Sequence, residues 1–168
     1  SIRQMYCEVA RRDKLDALLE ILRNEDGEQT LLFRRTQEDV NWLARMLKQK
    51  GIAVDAIHGG LRQSERNAVM QAFRDGRVKL LVSTSLTSRG IDVPAVGHVI
   101  NYDIPEQVEE YVHRIGRTAR MGRPGTAVTF VSEWDIEFFD AIRDHVGADK
   151  LEEIDLTLYS SQQAAGTG

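Results

Sequence analysis

Arg114, Arg117, Arg120 and Arg123 recur at every third position of Tyr111-Val112-His113-Arg114-Ile115-Gly116-Arg117-Thr118-Ala119-Arg120-Met121-Gly122-Arg123. On a helix this spacing keeps them on roughly one face. Each guanidinium is a permanently charged fork of donors that suits bidentate binding of phosphate. A row of them predicts a polyphosphate ligand; the competing reading is a solvated basic helix face. Gly116 and Gly122 weigh toward the ligand, because a glycine inside a helix costs about 1 kcal/mol and here brings no packing gain.

Ser83-Thr84-Ser85-Leu86-Thr87-Ser88-Arg89-Gly90-Ile91-Asp92 is the stretch densest in hydroxyls. Hydroxyls and free backbone N–H groups after a strand can hold phosphate oxygens. Gly90 allows close backbone approach, and Asp92 can accept hydrogen bonds from a ribose. Each residue alone fits an ordinary capped turn; the group, with Arg89 inside it, points to ligand contact. His58-Gly59-Gly60 turns into a helix whose first turns carry Arg62, Gln63 and Arg66. Cations where a helix start prefers anions suggest a phosphate there, unless Arg62 and Arg66 pair with Glu65. His58 alone reads as a structural, hydrogen-bonded histidine.

Other chemistries lack their residues. The four histidines and lone Cys7 show no metal-ligand spacing, so no metal site is expected. Neither a Ser-His-Asp set nor a catalytic carboxylate pair stands out. No G-x-x-x-x-G-K-[ST] loop occurs either. The chain has arginines fit for a γ-phosphate and no loop to cradle one.

The elements that must position these residues alternate. Helical apolar stripes run over 11–23, 36–50, 62–75 and 133–146, and a further helix is expected over about 106–120. Thr36 is the expected N-cap of the second. Apolar strands are expected at Thr30–Phe33, Ile52–Ile57, Lys79–Thr84, Val96–Tyr102 and Thr126–Val131. Trp42 and Trp134 fall on helix stripes and read as core. Strands apolar on both sides, alternating with helices, predict an α/β fold with a mostly parallel sheet between two helix layers. In such sheets ligands sit at the carboxyl ends of the strands. The functional residues are therefore expected in the loops at 34–37, 58–63, 83–92 and 103–106.

The 168 residues, 42% hydrophobic and 29% charged, suffice for one domain with a sizeable core. Residues 1–158 are expected to form it, with 159–168 a small, polar, disordered tail. A net charge of −4 means that any polyanion must be met by local clusters. No apolar run approaches the ~20 residues of a membrane span, and no signal-peptide pattern opens the chain. One cysteine cannot form an internal disulfide, which suits an intracellular, cytoplasmic protein.

In order and spacing, Phe33-x-x-Thr36, His58-Gly59-x-x-x-Gln63-x-x-Arg66, Ser83-Thr84 through Asp92, and His113-Arg114-Ile115-Gly116-Arg117-Thr118-Ala119-Arg120-x-Gly122 resemble motifs IV, IVa, V and VI of DEAD-box RNA helicases. The resemblance spans about residues 1–147 and covers only the carboxy-terminal RecA-like domain, a three-layer α/β/α sandwich. It implies ATP with Mg2+, held mainly by an amino-terminal RecA-like domain that is the partner of this one. Arg117 and Arg120 would be arginine fingers, with Gly90 and Asp92 completing the nucleotide site. His113 and Arg114 would couple the domains. Thr36, Gly59, Gln63, Arg66, Thr84 and Arg89 would line the RNA backbone. The isolated domain is expected to be monomeric and inactive alone. Three departures from the family pattern stand out: Ser85 in place of an aspartate, Ala119 in place of a glycine, and Gly60 where aspartate is common. The unusually basic Arg34-Arg35 suggests that RNA affinity is redistributed within its loop. Two alternatives are a catalytically silent scaffold and a DNA-directed helicase, the latter disfavoured by His113 where such relatives carry glutamine.

Overall fold

A computed structural model describes residues 1–24, 26–85, 93–120 and 122–156. Seven strands form one sheet: β1 (Ile2–Glu8), β2 (Thr30–Phe33), β3 (Val54–Ile57), β4 (Leu80–Ser83), β5 (His98–Asn101), β6 (Gly125–Val131) and β7 (Leu151–Glu153). Their spatial order is β3-β4-β2-β5-β6-β1-β7, and every pairing is parallel. Five α-helices cover it: α1 (Lys14–Arg23), α2 (Gln37–Gln49), α3 (Gln63–Arg74), α4 (Val108–Ile115) and α5 (Ile136–Val146). The expected RecA-like three-layer sandwich is present, with a wholly parallel sheet.

Alternation along each strand divides the core between two faces. In β2, Leu31 and Phe33 face α3, α4 and α5 through Phe73, Tyr111 and Phe139. Leu32 faces α1 and α2 through Leu18, Ile21, Leu43 and Leu47. The Thr36 hydroxyl caps α2 as expected, accepting from the Asp39 N–H at 3.0 Å.

Several expectations need correction, and two strands went unpredicted. Strands β1 and β7 were not legible: β1 interleaves Arg3, Gln4 and Glu8 with its apolar residues, yet buries Met5 and Cys7. Trp42 is 38% and Trp134 83% exposed, so neither is core. Trp42 roofs the Arg34 guanidinium, 5.8 Å from its ring centre, and Trp134 stands on a turn at φ 75°. The helix expected over 106–120 stops at Ile115 and passes into a single 3₁₀ turn, Gly116–Thr118. There the buried Thr118 hydroxyl reaches the carbonyls of Val96 at 2.7 Å and Gly97 at 2.8 Å. The Arg117 carbonyl accepts from Val96 N–H at 2.9 Å. These bonds redirect the chain into an Arg120–Arg123 bridge closed by Gly122 at φ 75°, where a glycine is needed. The four arginines therefore do not share a helix face, and Gly122 is a turn residue.

Candidate functional site

Because the sheet is parallel, all carboxyl ends lie together. The loops leaving β2, β3, β4 and β5 carry Thr36, His58-Gly59-Gly60, Thr84 and Asp103, while Gln63 and Arg66 open α3. His58 is buried, and its Nδ1 accepts the Gly60 N–H at 3.0 Å. The ring hydrogen therefore sits on Nε2, which donates to Asn41 Oδ1 at 3.1 Å. Burial pushes the His58 pKa down, against a smaller opposing effect of Glu65. A Cβ on Gly60 would come within 3.1 Å of the His58 ring and 2.6 Å of Gln37 Oε1, the movable end of that side chain. At the start of α3, Glu65 accepts from the Arg62 N–H at 3.1 Å and Nε at 2.8 Å. Arg62 is thus paired within the helix. Arg66 bonds Gln63 Oε1 at 3.0 Å, and its Nε is buried without a partner. Gln63 is exposed and Gly59 partly so.

Two buried nodes hold these loops. Asp103 binds Arg34 side-on, with Nε 2.8 Å from Oδ2 and a terminal nitrogen 3.4 Å from Oδ1. Its Oδ2 also accepts the Arg35 N–H at 2.7 Å, and Lys14 Nζ lies 3.5 Å from Oδ1. Burial pushes the Asp103 carboxyl up, but the hydrogen bond and charge of Arg34, then Lys14 and the Arg35 N–H, outweigh it and hold it below its usual range. The Arg34 charge is consequently committed to Asp103 within the fold. Arg114, 4% exposed, forms the second node. It donates to Asn101 Oδ1 at 3.1 Å, the Asp103 carbonyl at 3.0 Å, Ser85 Oγ at 3.1 Å and Glu110 Oε1 at 2.7 Å. Its guanidinium also lies 4.9 Å from the Phe33 ring centre. Burial lowers the Arg114 pKa, opposed chiefly by Glu110. Ser85 donates to Glu110 as well.

Arg117 and Arg120 lie at the other end of the sheet. Val96 and Gly97 lead into β5, Glu28 leads toward β2, and both segments contact this arginine turn. Arg117 and Arg120 thus do not share the carboxyl ends of the strands with the other candidate residues. Two sets occupy opposite ends of the strands. Arg117 is partly exposed, with no side-chain partner among the described residues. The Arg120 side chain, 16% exposed, pairs with Glu28 Oε2 at 2.9 Å and the Pro124 carbonyl at 3.1 Å. His113 is exposed on α4, whereas Arg114 points inward. Arg89, Gly90 and Asp92 lie outside the described residues, as does the 159–168 tail. Among the described residues no three His, Cys, Asp or Glu side chains group as metal ligands. No helix among them is long and apolar enough to cross a membrane.

The nodes were not read from the sequence. Asp103, Glu110, Asn101 and Lys14 are polar residues scattered over loop, helix and strand, and only the topology brings them together. The one local signal was Asp103, an acid directly after an apolar strand.

Fold and site together define a RecA-like domain with a polar loop edge and an arginine turn at opposite ends. The helicase conserved C-terminal domain family matches residues 13–122, and the chain belongs to it, within the DEAD-box RNA helicases. It is 39% identical to the Kluyveromyces lactis ATP-dependent RNA helicase FAL1 over 86% of this chain and 36% of that protein. To the Bacillus subtilis DEAD-box ATP-dependent RNA helicase CshA it is 38% identical, over 97% of this chain and 34% of that one. The chain thus spans about a third of the length of these relatives. The C-terminal domain of the DEAD-box protein Dbp5 superposes with a TM-score of 0.88 at 32% identity, covering 98% of this chain and 97% of that chain. Saccharomyces cerevisiae Dbp5 bound to RNA and ADP BeF3 gives the same TM-score and identity over 98% of this chain and 44% of that chain.

Proposed function

We propose that this chain works as the second half of an ATP-dependent RNA helicase that separates short duplexes or remodels RNA–protein complexes. The carboxyl-end loops, with Thr36, Gly59, Gln63, Arg66, Thr84 and Arg89, take the sugar–phosphate backbone and read little sequence. Arg117 and Arg120 stabilise charge on the γ-phosphate of ATP, with its Mg2+, held by an amino-terminal RecA-like domain. Gly90 and Asp92 complete the nucleotide site, His113 faces the partner domain, and Arg114 braces the RNA loops from within. A cation supplied from a second domain makes hydrolysis conditional on closure.

The observation that carries this reading is the guanidinium of Arg117, without a side-chain partner among the described residues and held by its own backbone to Val96 at the amino end of β5. The test joins the chain to an amino-terminal RecA-like half and measures RNA-stimulated ATPase. Arg117→Ala is expected to lose at least about a hundredfold, within the range for arginine fingers, with ATP binding changed far less. Arg117→Lys is expected to fail too, since a point charge does not replace the fork. Near-normal turnover in both variants rejects the assignment. The chain alone is expected to give no turnover above blank, and RNA is expected to stimulate the joined protein more than DNA of matched length.

A further inference from the structure

Glu28 stands just ahead of β2 at the amino end of the sheet, and its carboxylate is shared between two arginines. Oε2 accepts from Arg120 at 2.9 Å, and Oε1 accepts from Arg123. The Glu28 side chain is only 22% exposed and is packed in place. A Cβ on Gly97 would come within 2.5 Å of the Glu28 Cβ, and the Gly97 N–H donates to the neighbouring Gln29 carbonyl at 3.0 Å. The second terminal nitrogen of Arg120 is spent on the Pro124 carbonyl, and its buried Nε has no partner. The two fingers are therefore in unlike states: among the described residues Arg117 has no side-chain partner, and Arg120 is docked.

We propose that Glu28 is a positioning residue that withholds Arg120 from the nucleotide until the two domains close. This rests on the reading of Arg120 as a finger. A phosphate oxygen bonded to the same nitrogen would lie two hydrogen-bond lengths, about 4–6 Å, from the Glu28 carboxylate. Like charges at that separation, in a partly buried site, repel. Arg120 must therefore exchange one oxyanion for the other, and both suit its fork. The exchange opposes closure, so it weights the balance toward the open form and leaves RNA binding to tip it. Arg123, mostly exposed, competes for Glu28 and loosens its hold on Arg120.

The experiment uses the two-domain protein and reads the KM for ATP and the turnover without RNA. Glu28→Gln keeps the size and removes the charge. It is expected to lower KM about fivefold to tenfold and raise RNA-independent turnover by a similar factor. Arg123→Ala is expected to act in the opposite sense, raising KM about twofold, because Glu28 is then undivided. On an Arg120→Ala background, Glu28→Gln is expected to have no further effect. A melting curve checks that each variant folds, and if Glu28→Gln does not, Arg123→Ala decides. An unmoved KM in a folded Glu28→Gln, a fall in its turnover with KM unmoved, or an effect that survives Arg120→Ala each overturns the proposal. Full RNA-stimulated turnover in Arg120→Ala alone instead removes the finger reading itself.

Discussion

Arg34 meets Asp103 through two nitrogens of its fork, Nε at 2.8 Å and a terminal nitrogen at 3.4 Å, across the loops that leave β2 and β5. Both side chains are largely buried, and Lys14 adds a third charge at 3.5 Å. Removing one member of such a group strands the others without solvent. Asp103→Asn is expected to cost about 3 kcal/mol of folding stability. Urea unfolding at neutral pH measures it.

The same carboxylate sets an acid limit. Asp103 holds its proton more weakly in the fold than an unfolded aspartate at about 3.9. Its contribution is fully present above the unfolded value and is lost as pH falls through the lower folded one. Urea midpoints followed from about pH 6 down to about pH 2.5 are expected to drop on this limb, and less steeply in Asp103→Asn.

His58 gives a local titration in the loop that leaves β3. Its folded pKa lies below the ordinary ~6.5, so the neutral ring is favoured and its stabilisation is lost as pH falls through the folded value. Protonation puts a hydrogen on Nδ1, which can then no longer accept the Gly60 N–H. The Gly60 amide resonance is expected to move with a midpoint below ~6.5 and to stay still in His58→Asn. Two-dimensional amide NMR from pH ~7.5 to ~5 reads this directly.

Trp134 holds a left-handed backbone with its indole in solvent. A bulky residue there costs roughly 1–2 kcal/mol, whereas asparagine tolerates the conformation. Trp134→Asn is expected to raise stability by about 1 kcal/mol, read as a higher denaturant midpoint with an unchanged slope.

The layered fold was largely readable because its signals are local. Leu31-Leu32-Phe33 is a continuous apolar run, Val40, Leu43 and Leu47 repeat at helical spacing, and Thr36 is a standard cap. What escaped depends on partners distant in sequence. β1 is a strand because β6 and β7 flank it, despite Arg3, Gln4 and Glu8. α4 ends at Ile115 because Thr118 finds the Val96 and Gly97 carbonyls. The arginine periodicity was real, but tertiary bonds overrode the helix it implied and sent Arg114 inward while Arg120 met Glu28. The hydrogen-bonded role of His58 was legible, whereas the setting of Arg34 was not, since Asp103 is 69 residues away.

The strands between the carboxyl-end loops and the arginine turn are short and share one direction. β4 has four residues, about 13 Å of extended chain. Ligands at its two tips never touch, and nothing between them needs to bend. On the function proposed above, what a strand of RNA at one tip would change for a nucleotide at the other is the heading of a stiff block, so the message would pass as orientation.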